Sequence, residues 1–179
     1  MNISKLIFLI SFIFNMSFQI KGEEKIMRLT SKSFKNGEEI PKKFTCEGEN
    51  VSPELRWDNV PLSAKSLTLI CDDPNAPTPE PWVHWIIFNI PPSASGLHEN
   101  QDIKAISGAR AGKGTENSKK YQGPCPPHGH GVHKYFFKLY ALDKSLEQLE
   151  EGISKKDLLK AMNGHIIEEA DLIGKYERK

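Results

Sequence analysis

Ser66-Leu67-Thr68-Leu69-Ile70-Cys71-Asp72-Asp73-Pro74-Asn75-Ala76-Pro77, with Trp82-Val83-His84-Trp85 close behind, is an apolar strand-like run that breaks into a Pro/Asn turn and restarts as an aromatic strand. The same arrangement returns downstream in Tyr121-Gln122-Gly123-Pro124-Cys125-Pro126-Pro127-His128-Gly129-His130-Gly131-Val132-His133-Lys134-Tyr135, which runs on into Phe136-Phe137. Each stretch couples a Pro/Gly loop, where backbone groups are left free, to a β-rich run opened by a histidine. Asp73 precedes a proline, so its backbone is pushed out of the helical region into a turn. Where the two loops meet, a carboxylate, two imidazoles and aromatic walls come together. That set suits a small anionic ligand.

Outward from these two stretches the chain reads mostly as strands. Met27 to Phe34, Ile40 to Thr45, Leu55-Arg56-Trp57, Leu67 to Cys71, Val83 to Ile90 and Lys134 to Leu142 are short and β-branched or aromatic. Asn36-Gly37, Ser52-Pro53, Asn59-Val60-Pro61 and Pro91-Pro92 punctuate them as turns. Ala170, Leu172, Gly174 and Tyr176 alternate with polar residues, which predicts a last strand. One helix is well marked: Ser154 at the cap, Asp157 three residues on, an apolar stripe of Leu158, Leu159 and Met162, and Gly164 at the end. A weaker helical turn is predicted over Ser145 to Leu149. Many short strands and few helices predict a mainly β, two-sheet antiparallel β-sandwich with short C-terminal helices. Pro91 to Tyr121 has little apolar pattern, and a loop this long is usually functional unless it hides an element, for which Ile103 to Ile106 is the candidate strand.

Composition narrows the classes. With 38% hydrophobic and 26% charged residues in 179, the chain is an ordinary globular one, neither disordered nor fibrous. Its net charge of +1 and the absence of a dense basic run argue against nucleic acid as a partner. Lys5 followed by Leu6-Ile7-Phe8-Leu9-Ile10-Ser11-Phe12-Ile13-Phe14 is too short for a membrane span and fits a secretory signal, so residues 1–22 are read as a signal peptide and 27–179 as one domain. The expected location is periplasmic or secreted, or cytoplasmic if translation starts at Met27. Cys71 ends an apolar run and reads as a small buried residue. Cys46 and Cys125 lie in loops beside Gly or Pro and are the candidate pair, with two free thiols as the alternative. His128, His130 and His133 lack a supporting carboxylate or cysteine spacing, so no metal or cofactor is expected.

Singly, these residues have plainer uses. A turn aspartate commonly satisfies nearby backbone donors, and a lone histidine in an apolar strand is usually a core residue. Their coincidence is what favours a site. Asp-Pro-Asn-Ala-Pro with Trp-Val-His-Trp, then Gly-Pro-Cys-Pro-Pro with Gly-His-Gly-Val-His-Lys-Tyr-Phe-Phe, resembles the phosphatidylethanolamine-binding protein family. More narrowly it resembles the bacterial Raf-kinase-inhibitor-like branch, as does Lys43-Phe44-Thr45-Cys46-Glu47-Gly48-Glu49-Asn50-Val51-Ser52-Pro53-Glu54-Leu55. The resemblance runs from about Met27 to Tyr176.

The resemblance implies a β-sandwich with a small pocket for phosphate-like anions and phospholipid head groups. By position it implies Asp73, His84, His133 and Tyr135 as lining residues, with Gly123, Pro126 and Pro127 shaping the rim. It also implies that the Cys46 and Cys125 loops share one end of the sandwich, where a disulfide can form. Asn75 stands where the family usually has a second aspartate, so any role of that carboxylate is lost. Some family members inhibit proteases or kinases, and an enzyme partner is the second reading. A weak hydrolase built on an Asp73–His84 pair is the third, although no nucleophile is placed beside that pair and Gly-x-Ser-x-Gly is absent. The expectation is therefore a binder rather than an enzyme, with monomer or homodimer left open.

Overall fold

A computed structural model describes residues 25–179. The predicted signal segment lies outside the described residues. Eight strands form two antiparallel sheets. β1 (Arg28–Thr30), β2 (Leu55–Asp58) and β5 (Gly96–Leu97) make a small sheet in the order β1-β2-β5. β3 (Ser66–Asp73), β4 (Trp82–Ile90), β6 (Arg110–Ala111), β7 (His133–Leu142) and β8 (Ile166–Tyr176) make the large one, ordered β6-β4-β3-β7-β8.

β3 sits at the centre, and all eight of its residues are buried. Both faces are covered, which is why it reads as a continuous apolar run rather than an alternating one. Leu67, Leu69 and Cys71 join Trp85, Ile87, Tyr135, Phe137 and Leu139 in the core between the sheets, facing Leu29, Leu55 and Trp57. Ile70, Ile86, Phe88 and Tyr140 pack on the opposite face under α1 (Lys155–Met162), the one α-helix among the described residues, through Leu158 and Met162. Ser154 caps α1 as expected, its Oγ accepting from the Asp157 N–H at 3.2 Å. The other expected helical turn reduces to one turn, closed by Leu149 N–H donating to the Leu146 carbonyl.

Three sequence expectations need correction. Ile40 to Thr45 is not a strand. Ile40 N–H donates to the Lys175 carbonyl at 2.8 Å, but Pro41 has no N–H to continue the ladder, and Lys42–Phe44 wind into a 3-10 turn instead. Ile103 to Ile106 is likewise a 3-10 turn over Ile103–Ala105, because the Asp102 side chain accepts from Lys104 N–H and caps it. Pro91 to Tyr121 is therefore no bare loop: it holds β5, this turn and β6. The first strand is shorter than expected, since Ser31 Oγ turns back to the Glu54 carbonyl at 2.6 Å.

The topology sets the site. β3 pairs with both β4 and β7, so the end of β3 and the starts of its two neighbours share one end of the large sheet. Asp73, His84 and His133 come from those three strand ends. Strand alternation separates the two adjacent aspartates: Asp72 meets Lys155 of α1 and Lys138, while Asp73 meets His133.

Candidate functional site

A cavity of about 410 Å³ opens at this end of the sheet, walled by Asp73, His84, His133 and Tyr135 and rimmed by Gly123, Pro126 and Pro127. All seven residues proposed from the sequence lie on it. Cys46 and Cys125 form part of its wall and are bonded to each other, their Cα atoms 5.4 Å apart. Cys71 is free and buried, and burial pushes its thiol well above its usual value, so it is unreactive.

Two chain segments must approach closely for this wall to exist. Gly123 N–H donates to Asn50 Oδ1 at 2.7 Å, Cys46 N–H to the Pro124 carbonyl at 3.1 Å, and Tyr121 Oη to the Phe44 carbonyl at 2.9 Å. A Cβ on Gly123 would stand 2.2 Å from the Phe44 carbonyl oxygen. Only glycine fits there. The prolines that follow hold the rim in a narrow range of backbone angles.

The polar groups inside are not equivalent. His84 is 5% exposed, and its Nδ1–H donates to the Gln122 carbonyl at 2.8 Å, which leaves Nε2 as the free nitrogen. Burial lowers its pKa, and the bond to Gln122 offsets only part of that shift. The Tyr135 ring packs edge-on against His84, centroids 5.1 Å apart. Its hydroxyl is buried with no hydrogen-bond partner among the described residues, and burial raises its pKa. Both oxygens of Asp73 are engaged: Oδ1 accepts from the Asn75 N–H at 2.8 Å and Oδ2 from His133 Nδ1–H at 2.6 Å. Its carboxylate is thus both a turn anchor and a tautomer lock.

His133 is also fully engaged. With its proton fixed on Nδ1, its Nε2 lies 2.7 Å from His130 Nδ1 and accepts from it. The resulting Asp73–His133–His130 chain runs from a buried carboxylate to an exposed imidazole. This overturns the Asp73–His84 pair considered for hydrolysis: the partner of Asp73 is His133. The candidate nucleophiles do not serve that reading either. Cys125 is bridged, and Ser52 faces a separate cavity lined by Trp85 and Tyr121, where its Oγ accepts from Gln101 N–H. Thr78 does line the first cavity, but its hydroxyl donates to the Glu80 carbonyl.

A sequence model of phosphatidylethanolamine-binding proteins matches residues 30–177. The chain belongs to the phosphatidylethanolamine-binding protein family. A UPF0098 protein of Methanothermobacter thermautotrophicus is 53% identical over 154 residues, covering 85% of this chain and 99% of that one. The crystal structure of a putative family homologue, CT736 of Chlamydia trachomatis, superposes with a TM-score of 0.79 at 44% identity, covering 86% of this chain and 99% of its own. YbcL of E. coli, described as a new member of the mammalian family, gives 0.81 at 31% identity over 87% and 100% of the two chains.

Within this family fold, Asn50, Gln122 and Glu116 are among the wall residues that the sequence reading did not single out. Asn50, itself at a positive φ of 56°, works by accepting the Gly123 N–H on its side-chain oxygen. Gln122 works mainly through its carbonyl on His84, and Glu116 through the Gln122 amide, to which it is hydrogen-bonded. Positive φ favours Asn, which is a faint signal at position 50. Backbone carbonyls leave none.

Proposed function

We propose that the protein is a non-enzymatic binder of small phosphate-type anions, phospholipid head groups included, in the cavity beneath Pro126 and Pro127. The observation that carries this is the buried Tyr135 hydroxyl, which has no hydrogen-bond partner among the described residues, on the same cavity wall as His84, whose Nδ1 is engaged by Gln122 and whose Nε2 is left free. Leaving a buried hydroxyl unsatisfied costs about 1–3 kcal/mol, and a ligand oxygen removes that cost. A phosphate monoester fits both groups. One oxygen accepts from Tyr135, while a protonated oxygen donates to neutral His84, or His84 takes up the proton and donates. The rigid rim keeps the site formed before ligand arrives, so little ordering entropy is lost on binding.

The same reading places the protein in an oxidising compartment. Its supports are the Lys5-led apolar run and a disulfide between two exposed cysteines. Calorimetry with phosphoethanolamine tests the binding. A charge-assisted contact is worth about 1.5–3 kcal/mol, so His84→Ala should weaken binding by roughly ten- to a hundredfold. Equal affinity in the wild type and His84→Ala would move the ligand elsewhere.

A further inference from the structure

The Cys46–Cys125 bridge stands at the cavity wall, yet it is not what alone holds the wall together. The same two segments are already tied by Cys46 N–H to Pro124 O, Gly123 N–H to Asn50 Oδ1 and Tyr121 Oη to Phe44 O. Both cysteines are exposed. Beside them lies a cation whose nearest carboxylate neighbour, Glu47, acts on it only through space. Arg178 is half-buried, and among the described residues it makes no ion pair. Its Nη1 lies 3.5 Å from Cys125 Sγ and 3.4 Å from the Pro126 carbonyl, and its Nη2 donates to His128 Nε2 at 2.8 Å. Its Nε is buried with no partner at all.

A disulfide sulfur is a weak acceptor, whereas a thiolate carries a full negative charge. Reduction of the bridge would give Arg178 an anion in direct contact, which it does not have among the described residues. Around the bridge, Arg178 comes from the tail, His128 from the Pro-rich loop, Glu47 from the loop of Cys46, and Asp73 and Glu116 from across the cavity. Of these, Arg178 is the group in contact with Cys125 Sγ. A cation beside a cysteine favours its thiolate, and a stabilised thiolate leaves a disulfide faster.

We propose that Cys46–Cys125 is an exchangeable disulfide that reacts with small-molecule thiols, becoming thiolated at Cys46 while Cys125 leaves as a thiolate held by Arg178. A low-molecular-weight thiolate attacks Cys46 Sγ. The Cys46–Cys125 bond breaks, its electron pair goes to Cys125, and a new disulfide joins Cys46 to the attacking sulfur. A second thiol of the same class then attacks the mixed disulfide, releases Cys46 as a thiolate and leaves as the symmetric disulfide. The protein is reduced by two electrons and two thiols are oxidised. The three remaining ties keep the wall assembled, so the bridge can open and reclose within the folded protein. A thiol substituent on Cys46 stands at the mouth of the ligand cavity, although the exchange itself does not depend on what that cavity binds.

Oxidised full-length protein treated with millimolar glutathione, acid-quenched and peptide-mapped should carry one glutathione on Cys46, with Cys125 free and buried Cys71 untouched. In the reduced protein, iodoacetamide should modify Cys125 ahead of Cys46, with its pH profile displaced to lower pH. Arg178→Gln should slow the opening by about five- to tenfold and move the Cys125 profile upward, while Arg178→Lys should retain most of the wild-type behaviour. Either of two results overturns the proposal. One is a bridge that stays intact in folded protein under conditions that reduce it in urea. The other is an Arg178→Gln variant, folded by near-UV circular dichroism, whose rate and profile match the wild type.

Discussion

Gly123→Ala is the perturbation whose size the structure fixes best. The added methyl carbon would stand 2.2 Å from the Phe44 carbonyl oxygen and 2.8 Å from both Asn50 Oδ1 and Thr45 Cα. Two of these three are backbone atoms, so no rotamer change relieves the clash. Overpacking of this kind costs about 1–3 kcal/mol, and losing the Gly123–Asn50 hydrogen bond adds about 0.5–1.5 kcal/mol. A mid-range cost near 3 kcal/mol lowers Tm by about 6–12 °C in a domain of this size. Phosphoethanolamine binding should fall with it, because the displaced segment carries the Gln122 carbonyl that orients His84. Gly129→Ala is the control. Its φ is +69°, but nothing lies within 4 Å of its added Cβ, so it pays only for the left-handed backbone, about 1–2 kcal/mol. Differential scanning calorimetry of the oxidised proteins measures both. If Gly123→Ala unfolds at the wild-type temperature, or falls no further than Gly129→Ala, the close-approach account of the rim is refuted.

Tyr135→Phe should leave Tm unchanged or slightly raised in the empty protein, because it removes a buried hydroxyl with no partner, while weakening phosphoethanolamine binding about two- to tenfold; calorimetry reads both. His130→Ala frees His133 Nε2 and should raise anion affinity severalfold, and equal affinity would put the anion beyond reach of that nitrogen. Because burial lowers the His84 pKa, neutral His84 stabilises the fold fully above about pH 6.5, and that contribution is lost as the pH falls through the depressed value. Urea midpoints of wild type and His84→Gln should therefore diverge less at pH 5 than at pH 7. By the same sign, anion affinity should rise on acidification below the ordinary histidine range. Full reduction of the bridge should cost about 2–4 kcal/mol of stability and still leave a cooperative unfolding transition in calorimetry.

The strands were legible where burial on one or two faces leaves a pattern. β3 and β4 are buried on both faces, and α1 carries its cap and apolar stripe in plain residue types. Lys42–Phe44 was not legible, because Ile40, Phe44 and Thr45 around it look like a strand and only Pro41 stops the ladder. For the site, Asp73, His84, His133 and Tyr135 could be read from their loop-to-strand contexts, since three adjacent strand ends gather what the sequence spreads over sixty residues. Which histidine Asp73 holds could not be read, because β4 and β7 both flank β3 and both offer one. His130 was weighed only as a loop ligand. Its reach to His133 depends on Gly129 and Gly131, with φ of 69° and 84°, turning the chain back on itself.

The central claim is that a phosphate-type anion sits between Tyr135 and His84. Titrating phosphoethanolamine into protein labelled with nitrogen-15 at histidine tests it most directly. The account predicts saturable shifts of the His84 side-chain nitrogens, Nε2 above all, with exposed His98 and half-buried His165 unmoved, and their loss on Gly123→Ala. Resonances of His84 that stay fixed while the ligand binds elsewhere, or no response at any histidine, would contradict it.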